Sequence, residues 1–306
     1  MPSLRPIFAK TLSNLGAVDE NLVVIVGDIS HGLLGDFRNS FPSRYFNIGI
    51  CEPAMVGVAA GMSKVGLNPV IHTIAPFLIE RAYEQIKLDF GYQRISGNFV
   101  SVGSAFDYSK LGCSHHSYAD VSLISHLPDS QVFLPGSPLE FEILFQDAYK
   151  QDKINYFRLT ENSHDVEIER KSIKIGKGIK LRDGSTLTIV TTGAALRNCM
   201  LAADELEDLG HSVEVLYLPT LKPFDNEIIR ESLRKTRIFI SVEELSSHDG
   251  LYNLVLKGSA GLDGIKSQQL AISEFISGYG TYAEIQTRAG LAQHQITQAG
   301  IDLVGN

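Results

Sequence analysis

Short β-branched runs alternate along the chain with longer stretches whose apolar positions recur at helical spacing. Residues 23–27 (VVIVG), 46–50 (FNIGI), 69–74 (PVIHTI), 99–104 (FVSVGS) and 132–135 (VFLP) are apolar at nearly every position. That is the pattern of strands covered on both faces. Between them, residues 52–65, 78–90 and 139–151 read as helices. Ahead of the first strand, Leu4, Ile7, Phe8, Leu12 and Leu15 fall on one stripe of an amphipathic helix. Strands of this kind separated by helices predict an α/β fold, a mostly parallel sheet with helices on both faces.

The pattern breaks over residues 161–185, which are charged, carry an Asp-Gly turn signal and lack a helical stripe. It then restarts. Residues 187–192 (LTIVTT), 213–218 (VEVLYL) and 238–242 (IFISV) read as strands, with helices over 194–209 and 226–235. The expectation is two α/β domains, 1–165 and 186–306, joined by a linker over 166–185.

Composition changes this picture little. Of the 306 residues, 44% are hydrophobic and 20% charged, as in folded globular proteins, and the net charge of −8 gives no reason to expect nucleic acid as a partner. No apolar run reaches the roughly 20 residues of a membrane-spanning helix, so no membrane is expected. The three cysteines, Cys51, Cys113 and Cys199, have neither paired nor metal-type spacing. They point to a reducing, cytoplasmic compartment and to no metal site of the chain's own.

The most informative segment is NIGICEPAMVGVAAG, residues 47–61. A strand ends at Ile50, Glu52 opens the next helix, and Ala54, Gly57, Ala59, Ala60 and Gly61 follow. Each helical glycine costs roughly 1 kcal/mol relative to alanine, so close packing or function is expected to offset it. On pattern alone, Glu52 complements the helix dipole. It also sits beyond the carboxyl end of a strand, where open α/β sheets bind ligands. Asp28 and Ser30, in GDIS after the first strand, occupy a similar edge, and Asp28 serves equally as a turn cap. His31 shares that loop, and His72 within a strand reads as a satisfied core histidine.

FNIGICEPAMVGVAAG resembles the stretch of transketolases, deoxyxylulose-phosphate synthases and pyruvate-dehydrogenase-type beta subunits that carries the cofactor-activating glutamate. RAYEQ (81–85) resembles the helix after the next strand, and GCSHH (112–116) the family's Gly-Pro-Thr-His-Gln loop. LTIVTTGAAL and VEVLYLPTLKPFD resemble its C-terminal domain. The resemblance implies a thiamine diphosphate pyrimidine-binding domain followed by a transketolase C-terminal domain. It implies Glu52 and His115 as catalytic residues, with Glu52 hydrogen-bonding the aminopyrimidine ring while a two-carbon ketol unit passes from a ketose to an aldehyde. Phe77, Arg81, Asp28 and Ser30 would help bind the cofactor. His115, Leu111 and Arg158 would meet the sugar substrate, the arginine through a phosphate or carboxylate.

Two departures matter. Counting back from Arg81, the aromatic residue that stacks on the aminopyrimidine falls at Ala75, so Phe77 is expected to substitute. Leu111 stands four residues before His115, where central-metabolic transketolases carry an acidic residue, so a specialised sugar acceptor is expected. The Gly-Asp-Gly signature of diphosphate and Mg²⁺ binding does not occur. A companion N-terminal subunit is therefore expected to hold both, most simply in an α2β2 heterotetramer. The alternatives are a 2-oxo acid dehydrogenase beta subunit and a non-catalytic assembly or regulatory subunit.

Overall fold

The computed structural model describes residues 3–305; the outer limits 1 and 306 given to the two domains fall outside them. The first sheet begins with β1 (Leu22–Val26), β2 (Tyr45–Asn47), β3 (Asn68–Ile74), β4 (Gly97–Val102), β5 (Ser130–Phe133) and β6 (Ile154–Arg158). The second half supplies β7 (Ile179–Arg182), β8 (Leu187–Thr191), β9 (Val213–Tyr217), β10 (Thr220–Lys222), β11 (Ile238–Ser246) and β12 (Lys266–Ile272). They form a seven-stranded sheet in the order β10-β5-β6-β4-β3-β1-β2 and a five-stranded sheet in the order β12-β11-β8-β9-β7. Pairing is parallel throughout, except that β10 and β7 join their sheets antiparallel.

Every residue of β1, β4, β5, β6, β8 and β9 is buried, as in strands covered on both faces; β4, β5 and β6 bury polar residues as well, and Asn155 Nδ2 donates to Asn98 Oδ1 across two of them. The chain is thus two α/β domains with mostly parallel sheets. The charged stretch after β6 ends in β7, an edge strand paired with β9. Lys180 and Arg182 on it keep their charges toward acidic neighbours, as suits an edge.

The two sheets are stapled together. After β9 the chain returns to the first sheet as β10, and Lys222 Nζ donates to Ser125 O, Leu127 O and Ser130 Oγ at 2.9, 2.6 and 2.8 Å. No helix among the described residues is long and apolar enough to cross a membrane.

Two details of the first sheet position the candidate site. The helix Glu52–Lys64 starts just beyond β2, with Pro53 near its start, where a missing N–H costs nothing. The segment after β3, expected as a plain α-helix, instead opens with a π-turn over Pro76–Glu80 and closes with another over Ile86–Tyr92. The Arg81 N–H donates to Pro76 O at 3.0 Å, a bond spanning five residues. Such turns widen the helix by about one residue and are frequent at functional sites.

Candidate active site

Glu52 is 1% exposed, at the first turn of its helix. Among the described residues, the only hydrogen bond to its carboxylate comes from Arg81, whose Nη1 donates to Oε2 at 3.0 Å. Arg81 itself is about half exposed. Its guanidinium carbon lies 4.3 Å from the centre of the half-buried Phe77 ring. Phe77 in turn meets His115 edge-on at 5.3 Å, and His115 meets Tyr108 edge-on at 6.1 Å. Four residues singled out in the sequence, Glu52, Phe77, Arg81 and His115, therefore form one continuous surface.

Ala75, where the count back from Arg81 ends, is fully buried at the start of the π-turn. Phe77 stands four positions before Arg81, on the same helix face, and its ring lies under the guanidinium.

His115 belongs to a single 3₁₀ turn, Cys113–His115, entered through Gly112 at φ +75°. A side chain at 112 is excluded twice: that φ disfavours any Cβ, and a Cβ would come 2.7 Å from the Tyr279 ring of the second domain. The Ser114 hydroxyl and His115 Nδ1 are 3.1 Å apart. The two adjacent histidines face opposite ways, for His116 turns inward to the Tyr118 hydroxyl at 2.7 Å. Leu111 lies on the same loop, 49% exposed.

Three sequence-predicted residues do not join this surface. Arg158 is 4% exposed, with Nε 2.9 Å from Asp120 Oδ2 and Nη1 and Nη2 donating to Glu244 O and Ser117 O. Its guanidinium is already engaged between the two domains, so it presents no open fork to a phosphate or carboxylate. Ser30 is buried, its hydroxyl 2.8 Å from His72 Nε2 and accepting from Arg5 Nε at 3.1 Å. That pairing leaves it no free face toward a cofactor. Asp28 is exposed at φ +66°; its N–H donates to Asn47 Oδ1 and its carboxylate accepts from Asn47 Nδ2. It ties the loop after β1 to the end of β2, a structural role in line with the turn-capping alternative.

His72 is a satisfied core histidine, held between Ser30 and Val100 O at 2.7 Å. Burial, with the nearby Arg5 charge, brings its pKa down to about 4, although the Val100 bond opposes the shift. His31 is taken up by the Tyr45 hydroxyl and Arg38. Sequence reasoning missed Tyr108 and Tyr279. Tyr108 lies seven positions before His115 in an aperiodic loop, and Tyr279 comes from the other domain, so neither leaves a local signal.

The helix bearing Glu52 turns Ala59 and Ala60 to the sheet, but Ala54, Gly57, Val58 and Gly61 to the outside. No atom lies within 4 Å of a Cβ built on Gly61. A Cβ on Gly57 would meet only Asp89 Oδ2, at 3.8 Å, so of packing and function, packing within the chain does not account for these glycines. Ile50 and Val65, which flank this helix, and Tyr92 are 73, 77 and 84% exposed. Among the described residues no three His, Cys, Asp or Glu side chains are grouped as metal ligands.

Comparison with known proteins follows the same outline. The chain matches the family of the transketolase pyrimidine binding domain over residues 1–165 and that of the transketolase C-terminal domain over residues 176–296. It is 27% identical over 307 residues to one of the subunits of the apulose-4-phosphate transketolase of Phocaeicola vulgatus, covering 99% of this chain and 98% of that one. It is 33% identical over 218 residues to an uncharacterized 33.6 kDa protein in the fasciation locus of Rhodococcoides fascians, covering 71% of this chain and 67% of that one. Its likeness to the 1-deoxy-D-xylulose-5-phosphate synthase of Syntrophotalea carbinolica is 30% over 300 residues, yet the match covers only 46% of that enzyme. Among solved structures, a split-gene transketolase, described as an inactive beta4 tetramer, superposes with a TM-score of 0.89 at 27% identity, covering 99% of this chain and 98% of that one.

Proposed function

The chain belongs to the transketolase family, and from that premise we propose that it is the pyrimidine-binding subunit of a split transketolase. With a companion chain it would transfer a two-carbon ketol unit from a ketose to an aldehyde, in the cytoplasm. The observation that carries this reading is the Glu52 carboxylate, almost wholly buried, with a single movable partner, at the rim of an exposed apolar face.

These residues fit thiamine diphosphate. One carboxylate oxygen of Glu52 is free to accept a hydrogen bond from a ring nitrogen, and Phe77 offers an aromatic face beside it. Bound there, the cofactor supplies the electron sink for breaking and remaking a carbon–carbon bond. Glu52 would hold a proton at the pyrimidine nitrogen, and Arg81 would balance its charge until the ring arrives. His115, in contact with Phe77, would move a proton at a substrate oxygen. Leu111 would set an apolar wall where an aldose hydroxyl is otherwise recognised, which favours a specialised acceptor sugar.

The outward ridge of Ala54, Gly57, Val58 and Gly61 supports a second chain packed closely over the Glu52 helix. We assign to a companion chain the binding of diphosphate and Mg²⁺, in an α2β2 assembly. Calorimetric titration of thiamine diphosphate and Mg²⁺ tests this, first with the chain alone and then with its co-purified companion. Tight binding by the pair alone is expected; tight binding by the lone chain would overturn the division of labour.

A further inference from the structure

The second domain sends residues 273–281 back over the first. Gly280 N–H donates to Ser109 O at 3.3 Å, and the Tyr279 ring rests on Gly112. Beside this strap lies an inter-domain cleft of about 430 Å³, lined by Glu80, Cys113, His116, Tyr118, His248 and Phe275 among others. It adjoins the surface around Glu52 without being part of it. The Cys113–Ser117 loop divides the two, with His115 turned to Phe77 on one side and His116 to Tyr118 on the other.

The chemistry of the lining is mixed. The Tyr118 phenol lies 2.7 Å from His116 Nδ1. The other imidazole nitrogen, His116 Nε2, is buried and has no hydrogen-bond partner among the described residues. Burial, and then the neighbouring His115, lower the His116 pKa, which favours the neutral ring. Glu80, exposed as a residue, accepts from the Ser117 hydroxyl at 2.7 Å, and burial of its carboxyl raises its pKa. The Tyr118 and Phe275 rings stand 6.5 Å apart, and Phe275 is 76% exposed.

We propose that this cleft binds an uncharged polyhydroxylated ligand, a free sugar or cyclic polyol. Hydroxyls would donate to Glu80 and accept from the imidazoles and Ser246, while the apolar face of the ligand would cover Phe275 and Tyr118. A phosphorylated or carboxylated ligand would meet Glu80 and Glu274 without a compensating cation in the lining. A quaternary organic cation would satisfy the carboxylates and rings but leave His116 Nε2 unpaired.

Saturation-transfer NMR on the full-length chain tests this with D-xylose, D-glucose and myo-inositol as ligands and choline and ribose 5-phosphate as comparators. At least one neutral probe should bind, and Phe275→Ala should weaken it about tenfold, as expected for loss of an aromatic platform. Phe275 is so exposed that its removal leaves the fold intact, which circular dichroism checks. Phe77→Ala should leave the signal unchanged, because Phe77 lies on the far side of the loop. Failure of all three neutral probes, binding indifferent to Phe275→Ala, loss with Phe77→Ala, or equal binding of either charged comparator would each overturn the proposal.

Discussion

The Arg81 guanidinium holds the Glu52 carboxylate at 3.0 Å, joining a group that is about half exposed to one that is nearly buried. The anion is thereby neutralised by a side chain free to move, which is the arrangement a ligand-gated carboxylate needs. Arg81 is in turn steadied by the Phe77 face beneath it, a contact worth about 0.5–1 kcal/mol at an exposed site.

Glu52→Gln keeps the shape of the side chain and removes its capacity to hold a proton. Activity of the chain with its companion should fall by at least about 10²-fold, the usual scale for a lost acid–base group. Thermal unfolding of the lone chain should change little, because Arg81 returns to solvent when its partner charge is gone. Steady-state kinetics and a melting curve together check this; substantial turnover by the variant would sink the assignment.

Phe77→Ala should weaken thiamine diphosphate binding by the assembled protein by about 0.5–1.5 kcal/mol, or about two- to tenfold. Calorimetry reads it directly. Unchanged affinity would mean that another ring lies against the pyrimidine, and Tyr83 would be the next to test.

Much of this was legible in the sequence, and what was not has specific causes. β1, β8 and β9 follow from their apolar runs, and Glu52 from its place beyond a strand end. The π-turns on either side of Arg81 were not legible, because they change residues per turn without any change in hydrophobic pattern. β10 is three residues long and pairs with a strand of the other domain, so no local periodicity marks it. Arg158 was set at the substrate by the family resemblance, and nothing local marks its buried network, because its partners, Asp120, Ser117 and Glu244, lie 38, 41 and 86 positions away.

Arg158→Met should therefore act on stability. It removes the cation from the Asp120 carboxylate, which is 0% exposed and, among the described residues, has no partner at Oδ1 and keeps only the Tyr156 hydroxyl at Oδ2. Leaving one member of a buried pair costs about 3–5 kcal/mol, which urea denaturation detects as a large fall in midpoint. Adding Asp120→Asn to Arg158→Met should restore part of the loss. A variant of normal stability with a raised KM for a phosphorylated sugar would instead return Arg158 to the substrate site.

The stability of the isolated chain should fall as pH rises through neutrality, and two adjacent carboxyls at the end of β11 set the sign. Burial raises both Glu243 and Glu244 from 4.5 to about 7, against opposing hydrogen bonds from the Leu251 and Tyr252 N–H groups to the first and from Tyr282 and Gln286 to the second. For a carboxyl whose pKa is higher in the folded chain, the native state binds the extra proton. Its contribution is complete below about pH 4.5 and is lost as pH rises through about 7. His72 runs the other way: lowered from 6.5 to about 4, it withdraws stability only as pH falls below 6.5. Between about pH 6.5 and 8 the carboxyls act without it, so unfolding free energy should rise on acidification, by at most about 1.4 kcal/mol per pH unit for each group. Glu244→Gln should flatten that slope, since the amide keeps an acceptor for Tyr282 and has no proton to exchange. Urea titrations at several pH values decide it: a stability that climbs from pH 6.5 to 8 would mean that these two carboxyls stay ionised in the folded protein.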